Sequence, residues 1–441
     1  MAICLGATAA PPPAPLAPTP TPAQLAWQEI EYGMFCHFGI NTFHDQEWTD
    51  GTKEPETFNP TDFSGRQWVE VAKEAGMKYL VVTAKHHDGF CTFPTQHTDY
   101  GVTSSPWRDG KGDVVREVAD ACHELGVMFG FYLSPWDRHE PKYEDAKAYD
   151  AYFRTLLRHV ITTYGPVGEV WFDGAGTKGH VYDWDSYYGL IRELAPNALI
   201  AICGPDIRWV GNEDGVAPDT LWNVQERGGE KVWHPAECDV PIRKGQWFFH
   251  TDGEDKLRTL DEMLDIYYRS VGHGAVLLLN ISPDRRGRLP DSDVARVRQL
   301  WAVITDTFRT NLAEGKPVEA TNVRGNDATF GPDKALDADP ATYWATDDEV
   351  TSASFAVDLG RAVTFNRAMI QEQIALGQRV EEYVVEAWDG TQWTEVVRGT
   401  TIGHKRLDRF ADVTATKVRL TVAKSRACPT IRAFGLYHAK R

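Results

Sequence analysis

The sequence predicts an α/β fold, a (β/α)8-like barrel of imperfect form, followed by an all-β sandwich of jelly-roll type. Three observations carry this. Between Tyr32 and Asn280 eight short apolar runs, GMFCHFGI, YLVVTAK, VMFGFYL, GEVWFD, ALIAICG, LWNVQE, QWFFHT and AVLLLN, alternate with longer amphipathic or loop segments. Near-continuous apolar strands of this kind belong to a parallel sheet covered on both faces, and eight of them favour a closed barrel over an open doubly wound sheet. After Asn311 the helical period vanishes and turn-separated strand patterns take over. Finally, 441 residues exceed what one core organises, so a second, smaller unit is expected.

In chain order, residues 1–26 read as a flexible, proline-rich N-terminal segment. MAICLGATAA ends in an Ala-x-Ala-like pattern but lacks the basic start and full apolar length of a secretory signal. It reads as the remnant of a trimmed one, which would fit a secreted or periplasmic location and leaves a cytoplasmic one open. PPPAPLAPTPTP should be extended and unpacked, with order beginning near Trp27. Helices are expected after Ser64, after Asp113 and over DAKAYDAYFRTLLRHVITTYG, each with a good capping residue. The repeats around strands five to seven are too short for full helices. LPDSDVARVRQLWAVITDTFR is the expected closing helix of a unit spanning 27–312. Residues 313–441, with ASFAVDLG, VTFNRAMIQEQ, YVVEAWDG, WTEVVRG and KVRLTVAK, form the β-sandwich.

Composition excludes some functions. A net charge of −17 repels nucleic acid and anionic membrane surfaces, and no apolar run reaches the eighteen or more residues of a membrane-spanning helix. Seven cysteines without a Cys-x-x-Cys pair indicate neither a zinc site nor a disulfide framework.

The active end of a (β/α)8 barrel is where the strands' C-termini open, and there the sequence is polar almost throughout. Strand one ends at His37, two at His86 and His87, three at Tyr132, four at Asp173, six at Glu226, seven at His250 and eight at Asn280. Such convergence on one mouth marks a pocket. Asp173 follows the buried run VWF, and Gly174 and Gly176 behind it permit a sharp turn and close approach of a ligand, so it is the best candidate for a catalytic carboxylate. A glycosidic reaction needs a second, and both Glu213 in WVGNEDG and Glu226 in NVQERGG qualify by position. The adjacent pair His86–His87 suits hydroxyl binding better than a metal, because neighbouring strand residues point to opposite sides. QEWTDG supplies Glu47 and Trp48, a carboxylate for hydroxyls beside a stacking face.

GMFCHFGINTF, the stretch from EWTDG to KHHDGFCTF, GFYLSPWDRH and VWFDGA together resemble the family 29 glycoside hydrolases, retaining α-L-fucosidases, over roughly residues 27–310. The resemblance implies that Asp173 is the nucleophile. It also implies that His37, Glu47, Trp48, His86, His87 and Tyr132 bind fucose hydroxyls and that Trp171 lines the sugar site. GPDIRWVGNEDG is similar to the subgroup that cleaves α-1,3 and α-1,4 fucosyl linkages of branched, Lewis-type glycans, which selects Glu213 as general acid/base. Recognition of a neighbouring galactose is then expected from SPWDRHE, with Trp136 and Asp137, or from the region of Trp222. TNVRG, KALDADPATYWAT, FAVDLG and IRAFGLY resemble a discoidin-like (F5/8 C-type) module, in which Asp337, Asp339 and Thr342 with a late glutamate hold calcium. Ala433 stands at the glutamate's position, so no cofactor is expected and structural calcium is doubtful. The expected partners are fucosylated oligosaccharides or glycoconjugates. Two alternatives remain, a glycan-binding adhesion protein with a dead barrel and a metal-dependent hydrolase.

Overall fold

The computed structural model describes residues 10–175 and 179–440. The leader-like residues 1–9, Cys4 among them, and Gly176 lie outside the described residues.

Eight parallel strands form the first unit: β1 (Tyr32–Cys36), β2 (Tyr79–Lys85), β3 (Met128–Leu133), β4 (Glu169–Phe172), β5 (Leu199–Ile202), β6 (Arg208–Trp209), β9 (Ala236–Pro241) and β10 (Val276–Asn280). They pair in the order β5-β4-β3-β2-β1-β10-β9-β6, and a bridge between Ala201 and Ile207 brings the two ends together into a nearly closed barrel. The strands are buried on both sides because side chains alternate in direction. Outward, Met34, Leu80, Val82, Val170 and Phe172 pack on helices. Inward, Phe35, Tyr79, Val81, Tyr132, Trp171 and Leu278 fill the barrel. Gly33 is required by this filling, since a Cβ there would lie 2.0 Å from the Tyr79 ring.

Crossover helices α2 (Gly65–Glu74), α3 (Val114–Leu125), α4 (Ala146–Tyr164) and α5 (Trp184–Leu194) separate the first five strands. The side chains of Ser64, Asp113 and Asp145 accept backbone N–H bonds at the starts of α2, α3 and α4, as their sequences suggest. No helix separates β5, β6 and β9. In that interval the chain makes an outer antiparallel hairpin, β7 (Val224–Arg227) with β8 (Glu230–Trp233). Helix α6 (Leu260–Ser270) then joins β9 to β10, and α7 (Asp291–Thr307) closes the unit.

Two expected strands are corrected here. LWNVQE is not barrel strand six: its start packs on the sandwich, where the Asn223 N–H bonds Gln378 (2.9 Å), and its end lies in the outer hairpin with Glu226 exposed. QWFFHT is not strand seven but a loop; AECDVP is the strand. Its inward residues are Glu237 and Asp239, so the apolar run that marks the other strands is missing.

The proline-rich segment is also corrected. It is extended but packed: the Ala10 N–H bonds Asp327, the Leu16 N–H bonds Leu376 O, and Arg379 donates to Ala14 O (2.7 Å). Regular structure begins before Trp27, in α1 (Pro22–Gln28), which Thr21 and Gln24 close with a capping box. The Trp27 ring then plugs the barrel interior.

The sandwich contains β11 (Val318–Ala320), β12 (Trp344–Ala345), β13 (Ala353–Glu372), β14 (Val380–Trp388), β15 (Trp393–Gly399), β16 (Arg406–Ser425) and β17 (Thr430–Tyr437). All pairs are antiparallel, ordered β12-β17-β13-β16-β14-β15 with β11 beside β13. ASFAVDLG and VTFNRAMIQEQ are one strand, β13, bent by an irregularity between Asp358 and Val363. Phe355, Val385, Leu420 and Phe434 lead its own core. The two units join through polar contacts, with Glu31 holding His404 (2.9 Å) and Lys405, and Gln378 donating to Leu221 O (2.8 Å).

Candidate active site

A cavity of about 350 Å³ opens where the strands end. Of the residues named from sequence, His37, Glu47, Trp48, His86, His87, Trp171, Asp173 and Glu213 line it. Tyr132 stands directly behind, its hydroxyl donating to Asp173 Oδ2 at 3.1 Å and its ring stacked on Trp171 (5.3 Å between centroids). Glu226 is not among the lining residues, so the structure separates the two glutamates that position alone did not.

Asp173 follows β4 because its carboxylate makes the turn: Oδ1 accepts the Ala175 N–H at 2.7 Å. Burial raises its pKa above the ordinary carboxyl value, while the N–H groups of Ala175 and Gly174 and the Tyr132 hydroxyl pull it back. The group is thus desolvated yet furnished with donors for its ionised form.

The histidines are held as neutral rings. Burial pushes His37 and His87 down to about 3 and His86 well below the usual imidazole range. The Asn280 amide donates to Trp247 O (2.8 Å), so its carbonyl faces His37 Nδ1, also at 2.8 Å. The Ser134 hydroxyl donates to Trp136 O (2.9 Å) and accepts from His87 Nδ1 (2.7 Å). In both rings the proton therefore sits on Nδ1 and leaves Nε2 as an acceptor for a hydroxyl. His87 Nε2 is 3.8 Å from Asp173 Oδ2, so it does not engage that carboxylate.

Glu47 is held from the loop after β9. Its Oε2 accepts the N–H groups of Trp247 (2.7 Å) and Phe248 (3.3 Å), and Oε1 is 2.6 Å from His250 Nε2. His250 and Asn280, read as strand ends, thus act one step back from the cavity, on Glu47 and His37. Trp48 is 54% exposed and sets its edge against His87 and Trp136. Glu213, in the loop after β6, is exposed and accepts from Trp247 Nε1 at 3.1 Å.

Six lining residues were not singled out from sequence: Phe35, Ala175, Ile202, Trp209, Asp239 and Trp247. Asp239 is buried, and burial, with the charges of Glu237 and Glu213, raises its carboxyl well above the usual range. An acid on every second position of AECDVP was the available signal, since inward acids in a barrel strand need a purpose. Two suggested galactose contacts are corrected. Asp137 lies beneath the site, its carboxylate 3.0 Å from buried Lys85 Nζ and accepting the His139 and Glu140 N–H groups. Trp222 faces the sandwich, where Arg426 covers its ring.

No group of three or more His, Cys, Asp or Glu that could hold a metal occurs among the described residues. In the sandwich the Thr342 hydroxyl bonds Asp337 (2.9 Å), Asp339 caps the Ala341 N–H, and Ala433 offers no side-chain oxygen. The six described cysteines are all free.

Comparison with known proteins agrees with this geometry. Residues 52–304 match the α-L-fucosidase family and residues 317–434 the F5/8 type C domain. The chain is 39% identical to α-L-fucosidase 1 of Arabidopsis thaliana over 98% of its own length and 89% of the relative's. A Ruminococcus gnavus GH29 fucosidase solved in complex with fucose superposes with a TM-score of 0.91 at 33% identity, covering 98% of this chain and 97% of that one. A glycoside hydrolase 29 member from an unknown rumen bacterium gives 0.85 at 37%, over 97% and 78%. A nearly closed parallel barrel with a polar mouth, joined to an antiparallel sandwich and matched at this level along almost its whole length, places the chain in the α-L-fucosidase family of glycoside hydrolases, with an F5/8 type C module at its C-terminus.

Proposed function

We propose that this α-L-fucosidase is a retaining exo-enzyme that removes α-1,3- and α-1,4-linked L-fucose from branched, Lewis-type glycans. The observation that carries the mechanism is the presence of two carboxylates of opposite character on one cavity. Asp173 is desolvated, turned by its own backbone and supplied with hydroxyl and N–H donors. Glu213 is at the solvent side, tethered by a single indole N–H.

In the first step an Asp173 oxygen attacks the anomeric carbon as the glycosidic bond breaks, and the leaving oxygen takes the proton of Glu213. In the second Glu213 takes a proton from water, whose oxygen displaces Asp173 and releases fucose. Neutral His37, His86 and His87 suit this chemistry, since they can exchange hydrogen bonds with sugar hydroxyls without pairing with the nucleophile. Glu47 accepts from a further hydroxyl, Trp171 offers an apolar face to the ring, and Trp48 flanks the mouth where the rest of the glycan must lie. No step uses a metal or cofactor.

The test of mechanism is azide rescue. Glu213→Ala with azide should yield fucosyl azide of retained anomeric configuration, and Asp173→Ala the inverted one; the opposite assignment would exchange the two roles. For specificity, released fucose is read from Lewis a, Lewis x and 2′-fucosyllactose. Cleavage of the two branched trisaccharides with little of the α-1,2 linkage is expected, and preference for 2′-fucosyllactose would remove the subgroup reading.

A further inference from the structure

Beneath the cavity lies a pair of carboxyl groups that the reaction as described does not use. Glu169 on β4 and Glu237 on β9 are both 0% exposed and face each other across the barrel interior, close enough for each carboxyl to shift the other's proton affinity. Two buried carboxyls that feel one another in this way favour sharing one proton, because two like charges out of water repel strongly. The surroundings are built to keep them. Trp171 Nε1 donates to Glu237 Oε1 at 2.8 Å, the Tyr79 hydroxyl to Oε2 at 2.9 Å, and Trp27 Nε1 to Glu169 Oε2 at 2.8 Å. Gly130 on β3 leaves the space Glu169 needs, since a Cβ there would be 3.2 Å from the Glu169 Cβ.

Burying two acids is costly, and apolar side chains of similar volume would fill the barrel at less cost. Their use must be sought in what they hold. Trp171 is the one donor to the pair that also lines the cavity. Its ring packs on Phe35 and stacks on Tyr132, apolar contacts without direction, and the bond to Glu237 adds the one directional contact that fixes the indole edge.

We propose that Glu237 is a positioning residue for fucose binding: it fixes the Trp171 indole as a wall of the sugar site, while Glu169 shares its proton so that both Glu237 oxygens stay available as acceptors. The proposal rests on the reading of this cavity as the fucose site. Trp27, at the other end of the chain of bonds, ties the N-terminal helix to the same wall.

The experiment is a double-variant cycle on the full chain with an aryl α-L-fucoside, using Trp171→Phe, Glu237→Met and both together, with Glu237→Gln as the conservative control. The wall contacts sugar in ground and transition states alike, so the effect belongs in KM. Glu237→Met should raise KM about tenfold with kcat within about threefold, and shift the tryptophan near-UV circular dichroism. Glu237→Gln, which keeps a carbonyl acceptor and gives Glu169 an N–H donor, should stay within about threefold of wild type in KM. The double variant should be no worse than Trp171→Phe alone, because the carboxyl acts only through that ring. Effects that multiply in the double variant would overturn the proposal, as would wild-type kinetics for a folded Glu237→Met beside an impaired Trp171→Phe. Should Glu237→Met not fold, the cycle is run with Glu237→Leu, which also removes the acceptor. An unimpaired Trp171→Phe with Asp173→Asn inactive would overturn it too and leave the rest of the site reading standing.

Discussion

The two walls of the cavity are built on different principles. The wall from β1 to β4 carries His37, His86, His87, Trp171 and Asp173 at the ends of strands of four to seven residues, each followed by a crossover that includes a full helix. Its polar groups are buried, neutral or desolvated, and fixed by named donors and acceptors. The wall from β5 to β9 carries Trp209, Glu213, Asp239 and Trp247 on a two-residue strand, an acid-bearing strand and loops. Glu213 and Trp209 are exposed there. Fixed geometry suits the part of a substrate that is always the same, and an open wall suits the part that leaves and varies. On the proposed roles, the first wall holds the fucose and attacks it, and the second meets the leaving group and its proton.

Substitutions can break that comparison, the largest effect first. Asp173→Asn should lower kcat/KM about 10⁴-fold or more on every fucoside, because it removes the attacking carboxylate. A folded Asp173→Asn with substantial activity would dissolve the distinction. Glu213→Ala should cost about 10²- to 10⁴-fold on natural glycans and far less on an aryl fucoside with a good leaving group. Equal losses on both substrates would show that Glu213 does not supply the proton.

His37→Ala should cost about ten- to a hundredfold on all fucosides through one lost, well-fixed hydrogen bond. The same wall makes a pH statement. The folded values of His37 and His87, near 3, lie below the unfolded 6.5, so the folded state binds fewer protons in that window. Their contribution to stability is complete above about pH 6.5 and is lost as pH falls toward 3. Imidazole ¹⁵N spectra at pH 5 should show both rings neutral; a charged ring would mean that burial does not set their state. The smallest effect is expected at the outer hairpin, where Glu226→Gln should leave kcat/KM unchanged within assay error. A loss there would mean that the open wall extends beyond the cavity.

The same division decided what could be read from sequence. On the first wall, long apolar strands ending in His37, His86–His87 and Asp173 announce both the barrel and its mouth, because regular alternation and a polar stop need no distant partner to be recognised. The all-β texture after Asn311 was equally plain. On the second wall the pattern failed. LWNVQE is apolar because it packs on the sandwich, and AECDVP is polar because its acids point into the barrel, so each imitated the other's role. Glu213 was singled out only through the GNE motif. The proline-rich stretch gave no sign of packing, since its bonds run from backbone groups to Asp327, Leu376 and Arg379, more than 300 positions away.

By itself, then, the sequence determined the α/β-then-β architecture, the helix caps and the carboxylate at the end of β4, all consequences of local periodicity and turn chemistry. Only the tertiary structure decided where barrel strand seven lies and which groups hold His37, His87 and Glu47 in place. It alone showed that two buried acids stand beneath Trp171. These are facts about neighbours far apart in the chain, and burial, charge and proton sharing are properties of neighbours rather than of residues.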